Sequence, residues 1–173
     1  MMNFREDNIR FNNKLFIVFI AILLLVSFGS LFFIENHSLV AHDESLYANR
    51  AKLIIDTNNW FTPFEYAHHK TIGSYWLIAL SFKIFGINEF SARLPSYIFS
   101  ILSSFVLFKI IKNISSFEIG LISIFTLSSS FLWFSYSRYC RPDTLYIFFN
   151  LLSVFYLLKI NNFLKDPIKN RLF

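Results

Sequence analysis

Long runs without charged side chains alternate with polar stretches along the chain. Residues 15–34 and 119–136 contain no charged side chain. Residues 94–111 carry only Lys109, near one end, where a long side chain can reach the membrane interface. A fourth uncharged run covers residues 144–158, and a predicted further turn through Lys159 extends it to residue 160. Because about 20 apolar residues cross a hydrocarbon core of about 30 Å, the pattern predicts an all-α, polytopic membrane protein with about four transmembrane helices.

The long segment between the first two runs, residues 35–93, contains a pattern with helical periodicity. Tyr47, Ala51 and Ile54 fall on one face of a helix, and polar residues occupy the opposite face. This spacing predicts an amphipathic helix over residues 44–56. We expect it to lie along the outer membrane surface rather than to cross the membrane.

A second helix is predicted over residues 74–86. This stretch is almost wholly apolar but too short to span a bilayer, and Gly86 supplies a natural helix end. Tyr75 and Trp76 suit the headgroup zone, where aromatic rings are enriched. We therefore interpret this helix as a second interfacial element.

Composition supports a membrane protein and excludes several other classes. The chain is 55% hydrophobic and only 16% charged, whereas soluble domains average about 25% charged residues. The basic residues are spread between apolar runs, so a nucleic-acid partner is not expected. A single cysteine, Cys140, excludes an internal disulfide framework and a cysteine-based zinc site.

The distribution of charge predicts an orientation. The net charge is +5. Basic residues outnumber acidic ones in segments 1–14, 112–118 and 159–173 taken together, whereas the long loop and the connection 137–143 together are balanced. By the positive-inside rule, both termini are predicted to be cytoplasmic, and residues 35–93 and 137–143 are predicted to be exterior.

The first run is too long for a signal peptide and is expected to be an uncleaved anchor. A bacterial inner membrane fits this topology, and so does an endoplasmic reticulum membrane.

Several short motifs follow one another in a fixed order relative to the predicted spans. They are Asp43-Glu44-x-x-Tyr47-Ala48, Trp60-x-x-Pro63, Lys70, Tyr75-Trp76-Leu77, Phe85-Gly86-x-x-Glu89-Phe90, Arg93-Leu94-Pro95, Arg138 and Pro142-Asp143. In this order they resemble the N-terminal part of the polyprenyl-phosphate-sugar transferases, which include protein O-mannosyltransferases and lipid A aminoarabinose transferases. The resemblance implies a fold of the GT-C type. It also implies transfer of a sugar from a polyprenyl-phosphate donor to a lipid, glycan or protein acceptor on the exterior face.

The resemblance also implies roles for individual residues. Asp43 matches the carboxylate that activates the acceptor, and Glu44 is a second catalytic candidate, as an orienting group or metal ligand. Lys70 and Arg138 match cations that stabilise the leaving phosphate. Arg141 is a further phosphate-binding candidate on the same exterior side.

Structural interpretations of the same residues remain open. Asp43 and Asp143 each precede or begin a predicted helix and can serve as caps, although Asp143 is also a substrate-binding candidate. Glu44 suits the first turn of a helix because of the helix dipole. Tyr47 can contact substrate or pack at the interface.

A metal ion is an open alternative, and no cofactor is firmly implied. His69 occupies the position before Lys70 where some relatives carry a glutamate that helps to bind a divalent metal. An imidazole is a competent ligand for zinc-like ions, but loop histidines are usually solvated. The residues Thr71 and Ile72 depart from the prolines usual in the family, and Leu46 replaces an arginine of some aminoarabinose transferases.

Length adds a last expectation. Full-length relatives carry many more spans than a chain of 173 residues can hold. We therefore expect an N-terminal fragment, from a truncated gene, a degenerate copy or a split gene. A split gene would supply a separately encoded C-terminal half. The rival hypothesis is a non-enzymatic four-span membrane protein, such as a carrier subunit or an assembly factor.

Overall fold

The computed structural model describes residues 38–39, 43–61 and 72–165, and this part of the chain is helical without any strand. The prediction of an all-α fold is confirmed. The predicted first span, 15–34, lies outside the described residues. The helices are α1 (Asp43–Thr57), α2 (Gly73–Phe85), α3 (Glu89–Ile114), α4 (Phe117–Ser129), α5 (Phe131–Tyr136) and α6 (Asp143–Lys165).

Helices α1 and α2 pack face to face and form a small core. The buried positions of α1 recur with helical spacing, as the sequence predicts, and meet the equivalent face of α2. The core side chains are Tyr47, Ala48, Ala51 and Ile54 of α1, Tyr75, Ile78, Ala79 and Phe82 of α2, Ala92 of α3, and Cys140. Asn58 ends α1 with a φ of 50°, and Gly86 ends α2 with a φ of 83°, so both helices stop at residues that tolerate the left-handed region.

The Tyr75 ring packs in the protein core, and its predicted place in the headgroup zone stays a prediction. Its side chain is fully buried, and its ring lies 5.3 Å from that of Tyr47. The hydroxyl accepts a hydrogen bond from Arg50 Nη1 at 3.1 Å, which satisfies the polar end of the ring inside the core. Trp76, its neighbour, is partly exposed, and its indole N–H donates to the carbonyl of Trp60.

Helix α3 begins five residues before the predicted span 94–111. Asn88 accepts a hydrogen bond from the Ser91 N–H at 2.8 Å, and Ser91 Oγ accepts one from the Asn88 N–H at 3.2 Å. This capping box starts the helix at Glu89. The first turns of the helix contain polar residues, so the hydropathy pattern did not indicate its start. As a result, Arg93 is a helical residue rather than a loop residue.

The uncharged run 119–136 is not one continuous helix. It forms α4 and α5, with Ser130 between them in an extended conformation (ψ 124°). Three consecutive serines end α4; Ser129 Oγ donates to the Thr126 carbonyl, and the Ser130 N–H bonds only three residues back, to Leu127. Serine side chains compete with the helical ladder in this way. The 13 residues of α4 extend about 20 Å, less than a hydrocarbon core.

Helix α3 is central and packs against α2, α4 and α6. The Phe99 ring of α3 lies 5.3 Å from the Phe148 ring of α6, and Gly120 of α4 packs directly against Phe108 of α3. Among the described residues, two helices are long and apolar enough to cross a membrane: α3 and the Asp143–Ile160 part of α6. Helix α6 continues to Lys165, into the segment predicted as a cytoplasmic tail.

Candidate functional site

Two adjacent carboxylates at the start of α1 have opposite environments. Consecutive side chains on a helix point about 100° apart, so one can face the core while the next faces out. Asp43 retains 47% of its side-chain exposure, whereas Glu44 is completely buried. The sequence pair Asp43-Glu44 therefore provides one accessible and one internal carboxylate.

Glu44 is paired with Arg93, which lies 49 residues later in the first turns of α3. Arg93 Nε donates to Glu44 Oε1 and Arg93 Nη2 donates to Oε2, each at 3.0 Å. This two-point contact between a guanidinium and a carboxylate is the strong, orienting form of an ion pair. Arg93 Nη2 also donates to the carbonyl of Ser38 at 3.2 Å. The pair thus joins the start of α3 to the start of α1 and to the segment before it.

The same carboxylate holds the connection between α5 and α6, residues 137–142. The backbone N–H of Cys140 donates to Glu44 Oε1 at 2.7 Å. One residue later, Ser96 Oγ of α3 donates to the Arg141 carbonyl at 2.8 Å and lies 3.3 Å from the Arg141 N–H. The connection is therefore fixed at two consecutive residues, by α1 and by α3.

This anchoring presents the Arg141 side chain to Asp43. Arg141 Nη2 lies 3.2 Å from Asp43 Oδ2, and the guanidinium also lies over the rings of Tyr136 and Tyr139 at 5.6 and 5.3 Å. Its Nε atom is buried and has no hydrogen-bond partner among the described residues. The side chain is one-quarter exposed, so it can be reached from outside.

Arg138 takes a different orientation from Arg141. Its guanidinium carbon lies 3.7 Å above the ring of Phe134, close enough for a cation–π contact. Partial burial lowers the pKa of the guanidinium, and nearby Tyr97 opposes that effect. The group remains a cation at physiological pH because a guanidinium is not deprotonated in proteins.

Cys140 is a buried thiol beside the Glu44 carboxylate. Burial, with the negative charge of Glu44 adding to it and Arg93 opposing, raises the pKa of Cys140 to about 12. Since the thiolate is the reactive form, this thiol is inert at neutral pH while the surrounding structure is closed.

The other predicted site residues lie in several places. Tyr47 is 3% exposed and packs in the core. Asp143 is half-buried and begins α6, two residues after Arg141. Lys70 and His69 lie outside the described residues. Within the described ranges, no group of three or more His, Cys, Asp or Glu side chains could hold a metal ion.

Sequence reasoning missed three participants: Arg93, Ser96 and the backbone of Cys140. The motif Arg93-Leu94-Pro95 was quoted, and an arginine directly before an apolar run is a signal that could have drawn attention to it. Ser96 and the Cys140 N–H carry no comparable signal, because their contacts depend on how the chain folds.

Sequence comparison with known proteins identifies the family of this chain. The sequence profile described as dolichyl-phosphate-mannose-protein mannosyltransferase matches residues 69–167. An undecaprenyl phosphate-alpha-4-amino-4-deoxy-L-arabinose arabinosyl transferase of Wigglesworthia glossinidia brevipalpis is 30% identical over 135 residues, which cover 74% of this chain and 24% of that protein. Its counterpart in Pseudomonas paraeruginosa is 33% identical over 86 residues, covering 47% and 16%.

A third relative extends the similarity over most of the chain. It is an uncharacterized protein of Aquifex aeolicus, 27% identical over 146 residues, which cover 82% of this chain and 28% of that protein. The chain thus spans less than a third of the length of these three relatives. No solved structure matches.

These matches agree with the apolar helices of the fold in indicating an integral membrane protein. The profile covers α2 to α6, including Arg93 and the connection, and more than half of the chain. The resemblance to polyprenyl-phosphate-sugar transferases is confirmed at this level. The chain belongs to the dolichyl-phosphate-mannose-protein mannosyltransferase family.

Proposed function

We propose that this chain carries the acceptor-activating and phosphate-binding part of a membrane glycosyltransferase. The reaction would transfer a sugar from a polyprenyl-phosphate carrier to a lipid, glycan or protein acceptor on the exterior face of the membrane. The observation that carries this proposal is the accessible Asp43–Arg141 pair, held at 3.2 Å by elements that are far apart in sequence.

Asp43 is proposed as the catalytic base. Its carboxylate is half-exposed and stands at the first residue of α1, where an acceptor hydroxyl could approach. A positioned carboxylate within hydrogen-bond reach can take the proton of an attacking hydroxyl as the bond to the sugar forms. Glu44 suits this role less well, since its buried oxygens already accept hydrogen bonds from Arg93 and Cys140.

Arg141 is proposed to bind the carrier phosphate, with Arg138 and Lys70 as additional cations. The leaving group is a lipid phosphate, and hydrogen-bond donors with positive charge stabilise the charge that develops on its oxygen. A guanidinium can contact two phosphate oxygens at once. The Nε of Arg141, without a partner among the described residues, is a donor suited to such an anion.

The setting of the reaction follows the predicted topology. We propose a bacterial inner membrane with both termini cytoplasmic and the Asp43–Arg141 pair on the opposite side. The relatives named as transferases are bacterial and carry most of their length outside the matched region. The rest of the donor site would then come from further spans, on the same polypeptide or on a separately encoded half.

A transfer assay with a matched pair of variants tests this function. Membranes containing the protein as its gene encodes it, with any adjacent gene co-expressed, are supplied with undecaprenyl phosphate carrying 4-amino-4-deoxy-L-arabinose or with dolichyl phosphate mannose. We expect Asp43→Asn to lower kcat by about 100-fold or more. Asp56→Asn changes an exposed aspartate at the other end of α1 and should leave transfer unchanged.

Two results would contradict the proposal. Wild-type transfer by Asp43→Asn would remove this residue as the base. Absence of transfer from either donor to total lipid, glycan and protein acceptors, with the protein inserted and folded, would favour the non-enzymatic four-span alternative.

A further inference from the structure

The most unusual polar feature of the described fold is a fully buried carboxylate of α1 that contacts two other chain segments. We call the Glu44 carboxylate, the Arg93 guanidinium and the Cys140 backbone N–H the Glu44 clamp. Glu44 belongs to α1, Arg93 to α3 and Cys140 to the connection. These residues are brought together only by the tertiary fold.

A stabilising role alone is a weak explanation for such a clamp. Removing two charges from water is costly, and a buried ion pair can often be replaced by apolar side chains without loss of stability. Glu44 and Arg93 are 0% and 6% exposed in their side chains, so both bear this cost. The third contact suggests a different benefit, because the Cys140 N–H ties the connection directly to the helix that begins at Asp43.

The geometry shows what this tie controls. Asp43 precedes Glu44 and Arg141 follows Cys140, so the Glu44–Cys140 hydrogen bond lies one residue away from each partner of the Asp43–Arg141 pair. The exposed pair is a surface contact and is expected to hold itself together only weakly. Its spacing therefore depends on how the connection is held, and the bond that holds it against α1 is the buried one between Glu44 and Cys140.

We infer that Glu44 is a positioning residue: through the Glu44 clamp it fixes the connection against α1 and so sets the spacing of Asp43 and Arg141. Ser96 supports the same segment from α3. The effect of the clamp on sugar transfer rests on the proposed function. The clamp itself does not, because it can be tested on the protein without any substrate.

The single cysteine of the sequence provides a direct readout. The Cys140 thiol is buried with 0% exposure, so alkylation by N-ethylmaleimide requires the connection to open. Glu44→Gln weakens the two-point contact, and the double variant Glu44→Leu/Arg93→Met replaces the ion pair by apolar side chains. The double variant leaves no unpaired charge, yet it removes the acceptor of the Cys140 N–H. Both variants should raise the alkylation rate by about tenfold or more.

A matched control separates local opening from general loss of stability. Ile110→Ala removes a buried side chain of α3 far along the helix from Arg93 and should lower the unfolding midpoint without exposing Cys140. Equal alkylation in Ile110→Ala and Glu44→Gln would overturn the positioning role. So would a double variant that protects Cys140 as well as the wild type does.

Transfer kinetics give a second readout that a merely structural role would not move. Because Arg141 is carried by the connection, the double variant should raise the donor KM by about tenfold or more, whereas Asp43→Asn acts on kcat. If Cys140 is exposed but the donor KM is unchanged, the inferred effect of the clamp on the site is wrong. If the wild type shows no transfer, the proposed function fails while alkylation still decides whether the clamp holds the connection.

Discussion

Two regions of the described chain differ in which side chains they bury. The part predicted to be exterior, which we call the exterior part, comprises α1, α2, the first turns of α3 and the connection 137–142. It buries aromatic rings, an ion pair and a thiol. The bundle comprises the rest of α3 with α4 and α6, and its large apolar side chains are widely exposed. Examples in α6 are Tyr146 at 71% and Leu157 at 65% exposure.

This difference in exposure indicates that the two regions have different surroundings. An exposed apolar surface of this kind is unfavourable in water and ordinary in lipid, where helices associate through small residues instead. The bundle shows such contacts at the buried Ser100, Ser103 and Gly120. The exterior part has a compact core of mixed polar and apolar side chains, with the candidate site at its edge. Its helix α2 also exposes apolar side chains away from that core, such as Ile84 at 63% and Phe85 at 53%.

The largest expected effect is in the exterior part. Arg93→Ala leaves the Glu44 carboxylate buried without its cation, and loss of one partner of a buried pair costs about 3–5 kcal/mol. The free energy of unfolding in mild detergent should fall by this amount. Lys109→Ala, at an exposed cation of the bundle, is the control and should change it little. Equal effects of the two substitutions would erase the distinction between the regions.

The next effect tests packing in the bundle. A Cβ atom on Gly120 would lie 2.9 Å from the Phe108 ring. Gly120→Ala therefore requires a shift of that ring or of α4 and should cost about 1–3 kcal/mol. At Gly73, the first residue of α2, no atom of the described residues lies within 4 Å of such an atom. Gly73→Ala should therefore be neutral or stabilise by up to about 1 kcal/mol. A destabilised Gly73→Ala beside an unaffected Gly120→Ala would contradict this packing.

A smaller effect tests the buried polar end of Tyr75. Tyr75→Phe keeps the ring against Tyr47 but removes the acceptor of the Arg50 hydrogen bond. The expected loss is about 1 kcal/mol, the net value of a typical hydrogen bond. Tyr146→Phe changes an exposed hydroxyl in the bundle and is the matched control. A larger loss of stability for Tyr146→Phe than for Tyr75→Phe would contradict a stabilising role of the buried Tyr75 hydroxyl.

The smallest effect at neutral pH concerns the Cys140 thiol. Its raised pKa means that the folded state keeps the proton which the unfolded state releases near pH 9, so the thiol contributes stability below that pH. This contribution should be lost progressively as the pH rises from 9 to about 12. Unfolding titrations across this range should show a weaker pH dependence for Cys140→Ala than for the wild type. Identical slopes would mean that the thiol is not buried as described.

The sequence predicted what depends on local pattern. The apolar face of α1 and the Gly86 end of α2 follow from spacing and from residue type, and both were found. Hydropathy could not predict the early start of α3, because a capping box among polar residues defines it. The break at Ser130 was also missed, since serines count as uncharged although their side chains compete for backbone hydrogen bonds.

The sequence named candidate residues for the site, and their roles stay predictions, but it could not predict how they are arranged. Asp43 and Arg141 were both named, yet their pairing joins positions almost 100 residues apart and depends on the packing of α1, α3 and the connection. Glu44 was predicted as a catalytic candidate, but its side chain is fully buried. The sequence could not predict this burial, because two adjacent acidic residues give no indication of which one faces the core. Long-range contacts such as that between Glu44 and Cys140 are set by tertiary structure.

The division of roles between Asp43 and Glu44 is the central claim, and one measurement compares them directly. The alkylation rate of Cys140 is determined in Asp43→Asn and in Glu44→Gln under identical conditions. Asp43→Asn, which alters only a surface pair, should stay within about twofold of the wild type. Glu44→Gln should react about tenfold faster or more. Rapid alkylation in Asp43→Asn with full protection in Glu44→Gln would contradict the account.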